Sequence, residues 1–458
     1  MLKFIKKLIP TSIKIKLIKS KQRLINPGFI AEFFMKKIVD WLESTSFYQR
    51  VKTFRYNRRI RRRHKLLLSE MKSKGKIKVV FLVIHKSVWK VDPVFRKMLH
   101  DPYFEPVIIV CPYILYGLDR MLEDLRESYN YFKCKGYPVI NSYDEVKKTW
   151  VELEDISPDL VFFTNPHNLT KSYYYEDAYL NYLTCYVPYS FDVSRYDNYQ
   201  TQYNQYFHNC MWRIFVPHQV DMDIYRVYSQ TKGRNAILSG YPFVESILRC
   251  NDSSNIWKEQ EKIKMKIIWA PHHTIDAPGL PYASFLKIAD FMQKMAIEFA
   301  EDVQFAFKPH PILRSKLYNH IDWGKEKTDC FYSFWGNSNN TQYCDGEYTN
   351  LFINSDAMIH DCGSFLAEYL FVNKPVLYTS NLELSDMRQF YNDFGLSALD
   401  SHFIADGESQ HCKIKKFIED IINGEITINK NHETFIQENK ICNSASDFIL
   451  SSIRNSFN

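Results

Sequence analysis

Short apolar runs alternate with longer, more polar segments along the chain from about residue 76. Runs of four to eight apolar residues, rich in β-branched and aromatic side chains, are typical of strands that are buried on both faces of a parallel sheet. In the first half they are IKVVFLVI (77–84), PVIIV (106–110), DLVFF (159–163) and RIFVP (213–217). The segments between them, notably 116–131 and 143–153, are compatible with helices. The pattern predicts a parallel sheet covered by helices.

A second series of the same kind begins after Gly240. Its apolar runs are KIIWA (266–270), VQFAFK (303–308), AMIH (357–360) and PVLY (375–378), with helical segments near 283–300 and 363–372. Two tandem Rossmann-like halves with a cleft between them explain both series. We therefore expect Rossmann-like domains at 76–239 and 240–409, followed by a helical segment at 410–458.

The first 75 residues differ from the rest in charge. They contain 21 Lys and Arg against 4 Asp and Glu, a balance of +17, whereas the whole chain is only +7. The remaining residues are therefore net acidic. Lysines interleaved with Leu, Ile and Phe, followed by the cationic run at 54–65, predict a basic amphipathic helical extension that binds an anionic membrane surface.

Two other interpretations of this extension remain open. A basic tail can bind nucleic acid, and a helix of this kind can simply cover the body of the protein. Contacts with a phosphate backbone have no use for the apolar side chains near the start of the chain, so we favour the membrane. We expect no nucleic-acid partner.

Composition adds three expectations. The chain has 458 residues, of which 45% are hydrophobic, and it can bury a large core. It contains no apolar run long enough to span a bilayer and no secretory h-region, since lysines interrupt residues 1–18. Its ten cysteines are scattered without a CxxC pair, which favours reduced thiols over a disulfide or zinc framework. A peripheral protein at the cytoplasmic face of the membrane fits all three.

Three polar loops follow predicted strands of the second half and should open at one edge of the sheet. They are APHHTID (270–276), KPHPILR (308–314) and HDCGSFLAE (360–368). Their cationic and titratable groups, together with a helix start, predict a phosphate site without a carboxylate cluster for a metal. Gly363 would let a ligand approach the backbone, and Glu368, one helical turn beyond Ser364, would reach a ribose hydroxyl. The candidate donor-binding residues are His272, His273, Lys308, Arg314, Asp361, Gly363, Ser364 and Glu368.

His310 is the candidate catalytic residue of this edge. Prolines at 309 and 311 stiffen its loop, which suits a group that must point at one phosphate. In the first half, His85 after the first strand is a geometric candidate for a catalytic base, and so is His167 after DLVFF. The Asp221-Met222-Asp223 triplet resembles a metal-binding DxD motif, but two Rossmann halves can stabilise a leaving diphosphate with cations and a helix start. We expect no metal and no other cofactor.

The segment IHDCGSFLAEYLFVNKPVLY, with KPHP before it and SGYPFVESIL (239–248), resembles the CDP-glycerol glycerophosphotransferase family of teichoic-acid-type polymerases. The family pattern consists of Asp-x-Ser-Ser, an acid four residues later, and then Lys-Pro. It is matched here by Asp361, Ser364, Glu368 and Lys374-Pro375, and Gly363 replaces the first serine. The family's Trp-His-Gly-Thr segment has no clear match, and YVPYSFDVS (186–194) contains no histidine. The resemblance spans about residues 200–400.

The resemblance implies a GT-B fold, with an N-terminal acceptor domain and a C-terminal domain that holds the nucleotide donor. It also implies that His310 contacts the donor phosphates. The expected reaction transfers glycerol phosphate from CDP-glycerol to a hydroxyl of a membrane-linked or surface polymer, such as teichoic acid or capsule. The alternatives are another nucleotide-diphosphate donor, as in a GT-B glycosyltransferase of surface polysaccharide synthesis, and a non-catalytic membrane-associated scaffold.

Overall fold

The computed structural model describes residues 46–458, except for Tyr116, residues 250–255, Pro278, Asn443 and Asn458. Residues 1–45 of the basic amphipathic region that is expected at 1–75 lie outside the described residues. Helix α1, Ser46–Met71, contains the cationic run at 54–65. Near its end Leu67 and Met71 are buried in the hydrophobic core of the body.

The first sheet confirms the α/β prediction. Its seven strands are all parallel and run in the order β3-β2-β1-β6-β7-β8-β9. A separate antiparallel hairpin consists of β4 and β5. The strands are β1 Ile77–Val83, β2 Phe104–Val110, β3 Val139–Asn141, β4 Tyr143–Asp144, β5 Thr149–Trp150, β6 Leu160–Phe163, β7 Leu183–Tyr186, β8 Arg213–Val216 and β9 Ala236–Leu238.

The second sheet repeats the plan with six parallel strands in the order β12-β11-β10-β13-β14-β15. In both sheets the chain winds outward from a central strand in one direction and then in the other, as in doubly wound nucleotide-binding folds. The strands are β10 Met265–Ala270, β11 Val303–Phe307, β12 Thr341–Tyr343, β13 Ala357–His360, β14 Val376–Thr379 and β15 Phe403–Ala405.

Helices occupy most of the connections between strands. In the first half they are α2 Asp92–His100, α3 Leu118–Cys134, α4 Leu153–Ile156, α5 Tyr173–Asn181, α6 Gln200–Tyr203, α7 Tyr206–Cys210 and α8 Gln219–Tyr228. After β9 come α9 Pro242–Leu248, α10 Phe285–Glu298, α11 Leu313–Tyr318, α12 Gly324–Asn337, α13 Thr349–Ile353, α14 Phe365–Glu368, α15 Leu384–Met387 and α16 Asp393–Leu399. The last three are α17 Gln410–Ile422, α18 His432–Asn439 and α19 Ala445–Phe457. None of the helices in the described ranges is long and apolar enough to cross a bilayer.

The helix expected at 143–153 is wrong, because this segment forms the β4–β5 hairpin and the start of α4. The side chain of Asp144 accepts hydrogen bonds from the backbone N–H groups of Val146 and Lys147, each at 3.0 Å. Lys148 then takes a left-handed conformation with φ of 55°. These local bonds favour a turn over a helix.

The helical segment after residue 410 divides between the two halves. Helix α17 buries Ile414, Phe417 and Ile418 in the core of the second sheet. Helix α19 instead returns to the first half, where Arg454 pairs with Asp101 after α2 and Asp447 pairs with Lys97 on α2 at 2.5 Å. Other contacts of this helix are a stack of Phe457 on Trp212 and a hydrogen bond between Arg213 and Ser456. The domain limits at 239 and 409 remain predictions.

Candidate functional site

The strand order of the second sheet reverses between β10 and β13, its two central strands. In open parallel sheets ligands bind outside the carboxyl ends of the strands at such a switch point. The loops after β10, β11 and β13 lie at this edge, and backbone bonds join two of them, since His310 N–H donates to the Pro271 carbonyl at 3.0 Å. The sequence predicted these three loops to meet.

Three histidines form a cluster at this edge. The ring centroids of His272 and His273 lie 4.4 Å apart, those of His273 and His310 4.1 Å apart, and those of His272 and His310 5.2 Å apart. Ligand nitrogens of the three rings all lie within 4.8 Å of one another, so this is also a place where the described residues could hold a cation. His272 and His273 are adjacent in the loop after β10, and His310 belongs to the loop after the neighbouring strand β11.

The surroundings of the three histidines disfavour their charged forms. Burial lowers the pKa of His310 and of His272 well below the usual range, and their neighbours' positive charges lower both further. The pKa of His273 is lowered to about 4, again mainly by burial and then by Lys316. The Nδ1 atom of His310 accepts from the backbone N–H of Ile312 at 3.2 Å, which fixes the ring and leaves Nε2 to carry the proton. A neutral imidazole in this tautomer can donate to a phosphate oxygen.

Asp361 joins the loops after β10 and β13. Its buried carboxylate accepts from the backbone N–H groups of His272 and Ser284, each at 2.5 Å, and from the Ser284 hydroxyl at 2.8 Å. Burial raises the pKa of Asp361 to about 6, although the bonds from Ser284 and His272 oppose that shift. These contacts assign Asp361 to positioning the histidine loop. Ser284, which precedes α10, is a partner that no sequence signal indicated.

Gly363 and Ser364 form the turn between β13 and α14. A Cβ added at Gly363 would lie 3.6 Å from the ring of Tyr282 and 3.7 Å from Val193 of the first half, so this turn lies against both halves. Ser364 is partly exposed and its backbone carbonyl accepts from the N–H groups of Ala367 and Glu368. The Ser364 hydroxyl lies 3.7 Å from the Cys362 sulfur, a distance at which the hydroxyl is held only weakly.

Glu368 lies in a buried cluster that joins the two halves. Its carboxylate is fully buried, accepts from the Tyr348 hydroxyl, and lies 3.9 Å from the ammonium of Lys90 in the first half. Lys90 also donates to the Tyr348 hydroxyl, and its ammonium lies 3.9 Å from the ring centroid of Phe243 and 4.1 Å from that of Tyr348. The predicted contact of Glu368 with a ribose stays a prediction, and its observed partners stabilise the fold.

The two cations of the β11 loop have different surroundings. Lys308 is buried, with its ammonium 5.6 Å from the Tyr348 ring centroid, and burial lowers its pKa against the opposing charge of Asp345. Arg314 on α11 is partly exposed, and its guanidinium pairs with Asp329 at 2.8 Å. Lys308 is therefore the cation placed among the buried site residues, whereas Arg314 is already bound to a carboxylate.

His85 follows β1, one of the two strands between which the strand order of the first sheet reverses. Its Nδ1 is 2.8 Å from the Ser87 hydroxyl, and its Nε2 is 3.5 Å from the carboxylate of Glu127. His167 follows β6, where Asn165 accepts from its backbone N–H at 2.7 Å. Within the described ranges, no hydrogen bond, ion pair or ring contact joins either histidine to the three-histidine cluster.

Similar solved structures have the same fold. A variant of the wall teichoic acid polymerase TagF matches with a TM-score of 0.53 at 14% identity, covering 89% of this chain and 96% of that chain. A second TagF variant matches with a TM-score of 0.51 at the same identity and coverage. The S. aureus MnaA–UDP co-structure matches with a TM-score of 0.50 at 16% identity, covering 83% of this chain and 96% of that chain.

The two Rossmann-like halves, each built on a doubly wound parallel sheet, define a GT-B fold. Residues 190–403 match the family model of CDP-glycerol:poly(glycerophosphate) glycerophosphotransferase. The match confirms the resemblance that the Asp361 and Lys374-Pro375 pattern indicated. No curated protein matches the chain significantly in sequence.

Proposed function

We propose that the protein transfers glycerol phosphate from CDP-glycerol to a hydroxyl of a membrane-linked polymer of the teichoic-acid or capsule type. The observation that supports this most directly is the polar edge at the β10–β13 switch point, which lies within the family match at 190–403. It combines three neutral histidines, a buried lysine and a small polar turn. Such an edge suits a diphosphate, which needs several donors at once.

In the proposed reaction an acceptor oxygen attacks the β-phosphorus of the donor. The new P–O bond forms as the bond from that phosphorus to the bridging oxygen breaks, and CMP leaves with the bridging oxygen and the electron pair. Lys308 and the N–H of His310 would stabilise the charge that develops on the diphosphate. Ser364 would donate to a phosphate oxygen, and Asp361 would hold the histidine loop in place.

The acceptor hydroxyl must lose its proton, and His85 is our candidate for the base. It lies beyond the carboxyl end of β1, where the acceptor domain would face the donor. The carboxylate of Glu127, 3.5 Å from Nε2, would stabilise the imidazolium that forms.

Product analysis tests this function. Purified protein and membranes that contain acceptor are incubated with CDP-glycerol or with UDP-sugars, and the released nucleotide is identified. We expect CMP and glycerol phosphate in the polymer. Release of a nucleoside diphosphate from a nucleotide-sugar would identify a glycosyltransferase, and absence of turnover with every donor would identify a scaffold. A His310→Ala protein is the control that links the activity to this chain.

A further inference from the structure

A cavity of about 660 Å³ is lined by residues other than the three clustered histidines. Residues of the β1–α2 connection and α2 line one side, and residues of α9 and of the loop after β12 line the other. Its volume lies within the range of about 300–1,000 Å³ that is usual for small-molecule sites. None of the residues predicted to bind the donor lines it.

The lining of the cavity is basic. Six of its side chains are Lys or Arg and three are carboxylates. The cations are Lys86, Lys90, Arg96, Lys97, Lys135 and Arg249. An excess of positive charge in a concave surface favours an anionic ligand, because the low-dielectric walls concentrate the field.

Helix α2 presents one polar face to this cavity. Pro93, Arg96, Lys97 and His100 line it, and their spacing of three and four residues places them on one side of the helix. The opposite side of α2 buries Val94, Phe95 and Met98 in the core. The cationic face is therefore fixed by the packing of the helix.

Two of the three carboxylates of the cavity are already bound to its wall. Asp92 accepts from the Trp89 indole at 2.8 Å and the Tyr137 hydroxyl at 2.9 Å, and Glu245 accepts from the Ser446 hydroxyl at 2.7 Å. By contrast, Arg96 is exposed, and no hydrogen bond or ion pair engages its guanidinium among the residues that the structure describes. Lys135 is also exposed and lies 3.8 Å from the Asp92 carboxylate. Both cations can turn toward a bound anion.

The cavity adjoins the proposed donor site through one side chain. Tyr348 lines the cavity, and its ring centroid lies 5.6 Å from the ammonium of Lys308. A ligand in the cavity would therefore lie beside the edge where the donor diphosphate is proposed to bind. It would also contact α2, which belongs to the half that GT-B transferases use for the acceptor.

We infer that this cavity binds a phosphodiester group of the acceptor chain. Arg96 and Lys135 would contact the phosphate, and the polar side of α2 would face the chain. This assignment rests on the proposed function, because a polymer of glycerol phosphate carries one negative charge in each repeat. In this assignment the protein has two sites. The histidine cluster binds the donor, and the cavity binds the product end of the polymer chain.

Binding of synthetic tri(glycerol phosphate) to the full chain, measured by calorimetry without donor, tests the assignment. We expect Arg96→Gln/Lys135→Gln to weaken the affinity about tenfold, since each substitution removes a charged hydrogen-bond donor. The matched control is Arg226→Gln, which changes an arginine of the same half that pairs with Asp223 outside the cavity. It should bind the trimer as tightly as the unsubstituted protein, and CDP-glycerol affinity should be unchanged in all three proteins.

Equal affinity for the trimer in the double variant and in the unsubstituted protein would overturn the assignment. A loss confined to phosphatidylglycerol vesicles, with trimer binding intact, would also overturn it and would assign the cations to a lipid headgroup. The measurement does not depend on turnover. Failure to release CMP from CDP-glycerol would therefore refute the proposed function separately, through a different assay.

Discussion

Glu368→Gln should destabilise the protein by removing the negative charge from a buried ion pair. Lys90 and Glu368 are 6% and 0% exposed, and Lys90 has Phe243 and Tyr348 rings on its other sides instead of water. Removing one partner of such a pair typically costs about 3–5 kcal/mol, because the other charge remains buried. Burial lowers the pKa of Lys90 and raises that of Glu368, so burial disfavours both charged forms, and we therefore expect the lower end of that range.

A double-mutant cycle makes this magnitude testable. Lys90→Met/Glu368→Gln removes both charges, while the glutamine oxygen can still accept from the Tyr348 hydroxyl. The double variant should lose less stability than the two single variants together, with a coupling of about 1–3 kcal/mol. Urea unfolding followed by tryptophan fluorescence measures each free energy. The control is Lys325→Met, which breaks an exposed pair with Asp329 and should cost less than about 1 kcal/mol.

Two results would refute this reasoning. In the first, the free energy of unfolding of Glu368→Gln lies within about 1 kcal/mol of that of the unsubstituted protein. In the second, the stability losses of the two single variants simply add in the double variant. Donor affinity is measured on the same proteins by calorimetry. A stable Glu368→Gln protein with weakened CDP-glycerol binding would show that this carboxylate acts on the ribose, as the sequence predicted, and not as part of the junction between the halves.

Three further predictions concern the donor site and the membrane. His310→Ala should lower turnover about a hundredfold with a smaller loss of donor affinity, and His310→Gln should recover part of the rate; near-normal turnover in a folded His310→Ala protein would exclude this role. Ser364→Ala should weaken CDP-glycerol binding, measured by calorimetry, with a melting temperature close to normal, and unchanged affinity would contradict it. Removal of residues 1–65 should abolish pelleting with anionic liposomes. Pelleting of the full chain should weaken with salt, because screening acts over about 8 Å. Equal pelleting of both proteins would refute the membrane tether.

The fold was largely predictable because its central strands are continuous apolar runs. Residues 357–360 were predicted as a strand and form β13, and the run 77–84 contains β1. The strands at the edges were missed, for example β9 at Ala236–Leu238, which has only three residues. Short strands of this kind form because a neighbouring strand supplies their hydrogen bonds, and that neighbour is not visible in local sequence.

The site was predictable only in part. Parallel strands align their carboxyl ends, so the meeting of the loops that contain His272 and His310 followed from the order of strands and turns. The environment of Glu368 did not follow, because its partners Lys90 and Tyr348 come from distant parts of the chain. Helical spacing placed Glu368 and Ser364 on one side of a helix, but tertiary packing decided that this side faces the interior at residue 368.

The return of α19 to the first half affects how the protein is made. The ribosome synthesises the first half before the second, yet Asp101, Lys97 and Trp212 find their partners on a helix that begins at Ala445. Domains generally fold as units during synthesis, with the N-terminal one first. Here part of the surface of the first half stays uncovered until α19 has been synthesised and packs against it. A nascent chain that stalls before residue 445 would therefore be a substrate for chaperones even when both of its sheets have formed.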